Sequence, residues 1–191
     1  MLKVLGYSHV EFVRHSTMRK MSRTLQCAAF LSLAISISAC SDKSAEASSS
    51  FEEAETSGPY EVIKVTDGDT IKVSISGYRF SVRPIGIDTP ETVHPTKPIG
   101  CFGPESSDYA KDLLGGSSVY LEYDKSQAPF DRYKRILAHV WTEDKKLYAS
   151  QAIANGFGFE YTYDADYKYK QLYLDDQSQA KANSTGLWGS C

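Results

Sequence analysis

The chain has 191 residues, with 21 basic and 24 acidic side chains and a formal charge of −3. That length accommodates one domain with a leader, and the acidic balance excludes a protein that captures polyanions by global charge alone. Any attraction to nucleic acid has to come from a local patch.

From the N-terminus, Arg19, Lys20 and Arg23 form a positive cluster ahead of an apolar run from Leu25 to Ala39. The run is short for a membrane span and no basic stop-transfer cluster follows it, so residues 1–40 read as a secretory signal. Met18 or Met21 is an alternative start, because a signal ordinarily begins close to its basic patch. The signal ends in Ile37-Ser38-Ala39-Cys40, which is similar to the bacterial lipobox, and lipidation of Cys40 is the expectation. An ordinary cleaved signal is the alternative. Residues 41–58 are rich in Ser, Ala and Glu and bury too little surface to offset their ordering entropy, so they read as a flexible tether. Residues 59–191 form the folded domain, which keeps 15 basic against 18 acidic residues.

Within that domain the first half carries strand signals. Tyr60 to Thr66 alternates around Val62 and Val65, Thr70 to Ile75 puts Ile71, Val73 and Ile75 on one face, and Tyr78 to Ile85 returns after Ser76-Gly77. Pro104 opens a helix that runs to Leu114 and stops at Gly115-Gly116. Val119 to Tyr123 and Ile136 to Trp141 complete five strands. Ser150 is expected to cap a short helix ending at Asn155, and Asp166 to Asn183 a longer one. Phe80, Ile85, Leu113, Leu121, Ile136, Val140 and Trp188 are assigned to the core. After export two cysteines remain in the domain, Cys101 and Cys191. An isolated pair in an oxidising compartment favours one disulfide, worth about 4–5 kcal/mol for so long a loop; two unpaired thiols are the alternative. His94 and His139 lack zinc-ligand spacing.

Three groups carry chemistry: Asp67-Gly68-Asp69-Thr70, then Arg83 with Asp88-Thr89-Pro90-Glu91, and Asp131-Arg132-Tyr133-Lys134-Arg135. Hydrolysis of a phosphodiester places extra charge on the phosphoryl oxygens. Catalysis is then mainly neutralisation and positioning. Carboxylates offer hard oxygen ligands for Ca²⁺ or Mg²⁺, and an arginine fork matches two phosphate oxygens. Each group alone is weak, since Asp-Gly-Asp is an ordinary turn composition.

In order and approximate spacing these groups resemble the staphylococcal nuclease (thermonuclease) family. Phe102-Gly103-Pro104-Glu105, Tyr161-Thr162-Tyr163 and Leu187-Trp188 extend the likeness from Tyr60 to Trp188. The resemblance implies an α+β fold, a five-stranded OB-fold barrel with about three helices. It also implies a calcium-dependent nuclease acting on DNA and RNA with endonuclease or exonuclease activity. Asp69, Asp88 and the Thr89 carbonyl would be the metal ligands, with Asp67 behind them or merely holding a turn. Glu91 would be the general base, and Arg83 and Arg135 would clamp the scissile phosphate. Arg132, Tyr133, Tyr161 and Tyr163 would contact the nucleotide, although a Tyr-x-Tyr pair is more often packing. Lys134 departs from the family's glycine. If that position has positive φ, strain or a shifted loop follows. The remaining expectations are a monomer, export to the cell envelope on a Cys40 anchor or free secretion, and DNA and RNA as partners. A nucleic-acid or protein binding module without activity, and an envelope scaffold, are the alternative classes.

Overall fold

The computed structural model describes residues 50–92, 96 and 98–191. The signal, Cys40, most of the tether and His94 lie outside the described residues.

Five strands form a closed barrel: β1 (Thr56–Asp67), β2 (Thr70–Ile75), β3 (Tyr78–Pro84), β5 (Ser118–Glu122) and β6 (Ile136–Trp141), in the spatial order β1-β2-β3-β6-β5. Alternation builds the interior. Val62 faces Val73, Val65 faces Ile71, and Ile71 faces Val82 across the first three strands. Ile71, Val73, Val82, Val119, Leu121, Ala138 and Trp141 are almost wholly buried. Twelve-residue β1 serves two neighbours, pairing with β2 by its second half and with β5 by its first. Register shifts at three points along β1 supply the bending that closure requires. The barrel closes through a parallel pairing of β3 with β6, in which Val82, Arg83 and Pro84 lie opposite Ile136, Leu137 and Ala138.

The five strands fall where alternation places them, with β1 beginning four residues before Tyr60. Two features escaped. A two-stranded ribbon pairs β4 (Ile87–Asp88) with β7 (Phe159–Glu160), and α4 covers Leu187–Ser190; elements of two to four residues show no period. Helix α1 (Gly103–Leu114) has Pro104 in its first turn and Gly115 as its C-cap. Helix α2 (Tyr148–Ala154) starts before Ser150, so that residue is no cap. Its Oγ donates to Asp176 at 2.6 Å and ties α2 to α3. Helix α3 (Lys170–Ala182) starts at Lys170 rather than Asp166, whose carboxylate instead accepts from Lys170 Nζ at 2.6 Å. Phe80 is 38% exposed, because β3 runs past the barrel's end there, and Leu113 and Trp188 are only partly buried. Cys101 and Cys191 form a disulfide with Cα atoms 6.0 Å apart, which joins the start of α1 to the end of the chain.

Charge is also buried on the outer side of β5 and β6, where Glu122 lies in register with His139 beneath Lys168 and Tyr169. Glu122 is 3% exposed and accepts from Trp141 Nε1 at 2.8 Å, Tyr169 OH at 2.9 Å and Lys168 Nζ at 2.6 Å. Two residues on, Asp124 pairs with the buried His139 Nε2 at 3.1 Å and accepts the Ser126 and Lys168 N–H groups at 2.9 and 2.7 Å. These bonds tie residues 124–127 to residues 165–169, the two segments that meet beside the cleft described below. Burial alone would raise the Asp124 pKa. The donors from His139, Lys168 and Ser126 outweigh it and hold the carboxyl far below its usual range.

A depressed carboxylate contributes stability above its unfolded pKa of about 3.9 and loses that contribution as pH falls toward the lower native value. Asp124→Asn should therefore be less stable at pH 7, and should lose less stability than the wild type on going below about pH 4. Urea unfolding across pH measures both slopes; parallel slopes would refute the assignment.

Candidate functional site

The first turn of the meander begins the site. Asp67 is 5% exposed, and its carboxylate accepts the Gly68 N–H at 2.9 Å and the Thr92 hydroxyl at 2.7 Å. Burial raises its pKa. These contacts spend Asp67 on holding the 67–70 turn against the 89–92 segment. Gly68 is required by proximity: a Cβ there would stand 2.9 Å from the Thr89 side chain. The Gly68 carbonyl accepts from the buried Tyr148 hydroxyl.

This turn sets Asp69 beside the end of β4. Asp69 Oδ2 accepts the Thr89 N–H and hydroxyl, both at 3.2 Å, and Oδ1 accepts the Thr70 hydroxyl at 3.0 Å. Arg83 spans the pair of aspartates. Its Nη2 lies 2.7 Å from Asp88 Oδ1 and 3.4 Å from Asp69 Oδ2, while Nη1 donates to the Ile87 carbonyl at 2.6 Å. Burial, and then the neighbouring Asp69 charge, push Asp88 up to about 6 against the opposing pull of Arg83. Two carboxylates competing for one guanidinium describe a site short of positive charge. Their oxygens, with the Thr89 backbone next to Asp88 in sequence, form a hard donor set suited to a Ca²⁺ completed by other oxygens. Among the described residues no group of three or more acidic, His or Cys side chains is poised for a metal.

Arg135 approaches from the other side, because the parallel β3–β6 pairing sets residue 137 opposite Arg83. Its placement comes from Asp131. The Asp131 carboxylate accepts the N–H groups of Tyr133 and Arg135 at 2.8 and 2.9 Å, and Arg135 Nε at 2.6 Å. Arg135 Nη1 also donates to Thr70 Oγ1 at 3.2 Å, linking the loop to the first turn. Lys134 has φ of 63°, the left-handed region. The loop keeps the glycine-like conformation with lysine in it, and the strain falls on Lys134 rather than on the position of Arg135.

A cleft of about 450 Å³ joins these parts. Its walls include Arg83, Asp88, Arg132, Tyr133, Arg135, Tyr161 and Tyr163. Tyr161 and Tyr163 have ring centroids 6.4 Å apart and are 42% and 74% exposed, while Tyr133, 64% exposed, lies beneath the Arg132 guanidinium at 4.8 Å. Exposed rings at a cationic cleft are free to stack. Asp69 and Thr89 stand behind the wall; Asp69 touches it through Arg83, and Thr89 bonds Asp69 and follows Asp88 in the chain. Glu91 is half-buried and is not part of the wall; its carbonyl accepts the Gly100 N–H at 2.8 Å. The third wall, carrying Tyr161, is fastened to Gly86, whose carbonyl accepts the Tyr161 N–H at 3.1 Å and the Tyr167 hydroxyl at 3.4 Å. Gly86 has φ of 83°, and a Cβ would come within 2.6 Å of the Tyr167 ring.

Sequence reasoning placed Thr70 only within its turn motif and gave no role to Thr70, Thr92, Gly86 or Tyr167. Only the i, i+4 spacing of Asp131 and Arg135 offered a readable signal of the bonds that orient the site.

A closed five-stranded barrel with helices packed on it, and a rim of carboxylates and arginines, defines a hydrolytic OB-type domain. Residues 81–190 match the family described as Staphylococcal nuclease homologue. Over 131 residues the chain is 37% identical to a thermonuclease of Staphylococcus hyicus, covering 69% of this chain and 76% of the relative. It is 34% identical to a thermonuclease of Staphylococcus intermedius, covering 68% and 75%. It is also 31% identical to the endonuclease YncB of Bacillus subtilis, covering 65% and 59%. The chain belongs to the staphylococcal nuclease family. Its reaction class is that of a phosphodiester-hydrolysing nuclease.

A left-handed non-glycine residue costs about 1–2 kcal/mol, partly offset in a glycine variant by chain entropy. Lys134→Gly should therefore gain up to about 1 kcal/mol with activity preserved, and Lys134→Val should lose more than about 1 kcal/mol. Denaturant midpoints with parallel activity assays test this; a destabilised Lys134→Gly would contradict it.

Proposed function

We propose that the protein is a Ca²⁺-dependent nuclease that cleaves DNA and RNA with little sequence preference. The observation that carries this reading is the half-buried pair Asp69 and Asp88, bridged by Arg83 and short of positive charge, on the edge of a cleft lined by arginines and exposed tyrosines. Asp69, Asp88 and the Thr89 carbonyl would hold the cation. When bound it would supply charge neutralisation for the phosphoryl oxygens.

The chain's own residues supply the rest. Arg135 is held at Nε by Asp131 and at Nη1 by Thr70, which leaves further N–H donors to meet a phosphate in the cleft. Arg83, fixed at three points, is a rigid positive wall for the same phosphate. Glu91 follows Pro90 on the segment that leads away from the aspartates, and its assigned work is to orient and deprotonate water. Orienting the water matters as much as removing its proton. Arg132 and Tyr133 meet the terminal phosphate, and Tyr161 and Tyr163 offer base platforms, each stacking contact worth about 1–3 kcal/mol. Contacts of these kinds read backbone and ring faces, which explains low sequence preference.

We extend the proposal to location: export with lipidation at Cys40, the acidic tether holding a monomeric domain off a membrane. Mass spectrometry of the native N-terminus should find an acylated Cys40. An unmodified terminus beyond it would mean free secretion.

Cleavage of single-stranded DNA should require Ca²⁺ and stop on chelation; undiminished cleavage in excess chelator would sink the metal assignment. Arg135→Lys keeps charge but loses the fork, so kcat should fall about a hundredfold with little change in KM, whereas Tyr161→Ala should chiefly raise KM. Steady-state kinetics separate the two patterns.

A further inference from the structure

Outside the cleft, the most pronounced charged feature lies on the outer face of β1, β2 and β3. Lys64 pairs in register with Lys72, Lys72 with Ser81, and Ser74 with Arg79. Together with Ile63 and Phe80, residues 64, 72, 79 and 81 line a groove of about 390 Å³. Among the described residues Lys64, Lys72 and Arg79 enter no ion pair, although Arg83, Lys111, Arg135, Lys168 and Lys170 all do. Three unpaired cations are thus gathered on one face of a domain with more acidic than basic residues. Phe80, 38% exposed, adds an aromatic side chain to the groove's lining.

We propose that this groove is a second contact for single-stranded nucleic acid, which holds the strand outside the cleft. The charge pattern selects a polyanion, and the Phe80 ring in the lining favours one with flat bases over a plain anionic surface. Continuity along β3 favours it further. Residues 79, 81 and 83 alternate onto one face of the strand, with Val82 and Pro84 turned inward and buried. Arg79 is therefore about 13 Å from Arg83, four residues at about 3.3 Å each, and a strand seated at Arg83 reaches the groove within a few nucleotides. The proposal rests on the cleft being the nuclease site. It implies that long substrates gain affinity from a surface that a dinucleotide never touches, in a protein whose overall charge gives no such help.

The test is the exported domain with Lys64→Gln, Lys72→Gln and Arg79→Gln combined, all on the barrel's outer face. Binding of a fluorescein-labelled 20-nucleotide single strand is followed by anisotropy in chelator across a salt series. Loss of three phosphate contacts should weaken binding at least about tenfold at low salt, and lower the slope of log affinity against log salt by about 2. Turnover of a dinucleotide should be unchanged, while KM for the long strand rises. Equal affinity and equal slope for variant and wild type would overturn the proposal. So would binding to phosphatidylglycerol vesicles that the variant loses while its oligonucleotide affinity stays intact, since the face would then be a membrane contact. Failure of the wild type to cleave even the dinucleotide would instead count against the nuclease reading, and the chelator binding data would still decide the groove.

Discussion

The Arg83 guanidinium set between Asp69 and Asp88 is the constraint on which the rest of the site depends. Two half-buried carboxylates on different segments repel each other, and only a cation between them lets both lie at one rim. Arg83 meets that need from β3, inside the barrel's own register. Its third bond, to the Ile87 carbonyl, holds the short β4 in place, so the same side chain positions the acids and the strand that carries one of them. The proposed cation site inherits this arrangement, with donors already assembled and a charge deficit left over.

The opposing side of the cleft depends on another carboxylate used as a fastener. Asp131 accepts two backbone N–H groups and the Arg135 side chain, so the loop's shape and the arginine's direction are set together. That redundancy explains why lysine is tolerated at position 134 in a left-handed conformation. The backbone has several bonds holding it there, and a local cost near 1–2 kcal/mol does not dislodge it. Farther out, Glu122 and Asp124 secure residues 165–169 to the barrel, and the tyrosine wall stands on that base. Buried acids thus appear in three roles: beside the proposed metal, orienting an arginine, and stapling a loop. Burial and donor count separate them: Asp88 is pushed up by burial and then by the Asp69 charge, and Asp124 is held down by four donors.

An acidic domain acting on a polyanion needs its positive charge concentrated. The cleft does so with Arg83, Arg132 and Arg135, and the outer face of the first three strands does so with Lys64, Lys72 and Arg79. Strand β3 links the two groups, since Arg83 of the first and Arg79 of the second both stand on it.

By itself the sequence determined the five strands, since Val62, Ile71, Val73, Val82, Leu121 and Val140 alternate with polar neighbours and a period of two is a local property. It determined the first helix through Pro104 and Gly115, and it offered candidate residues for the chemistry through three compact motifs whose order matches the family. The tertiary structure decided what depends on distant partners. The parallel β3–β6 pairing, which puts Arg83 and Arg135 on one cleft, joins segments some fifty residues apart and leaves no trace in either. The β4–β7 ribbon is too short to show a period, and Asp166 to Tyr169 stays out of the helix because Asp124 and Glu122 claim its groups from across the barrel. Phe80 carries an inward-facing parity yet lies exposed, because alternation gives the side of a strand but not where the barrel beneath it ends.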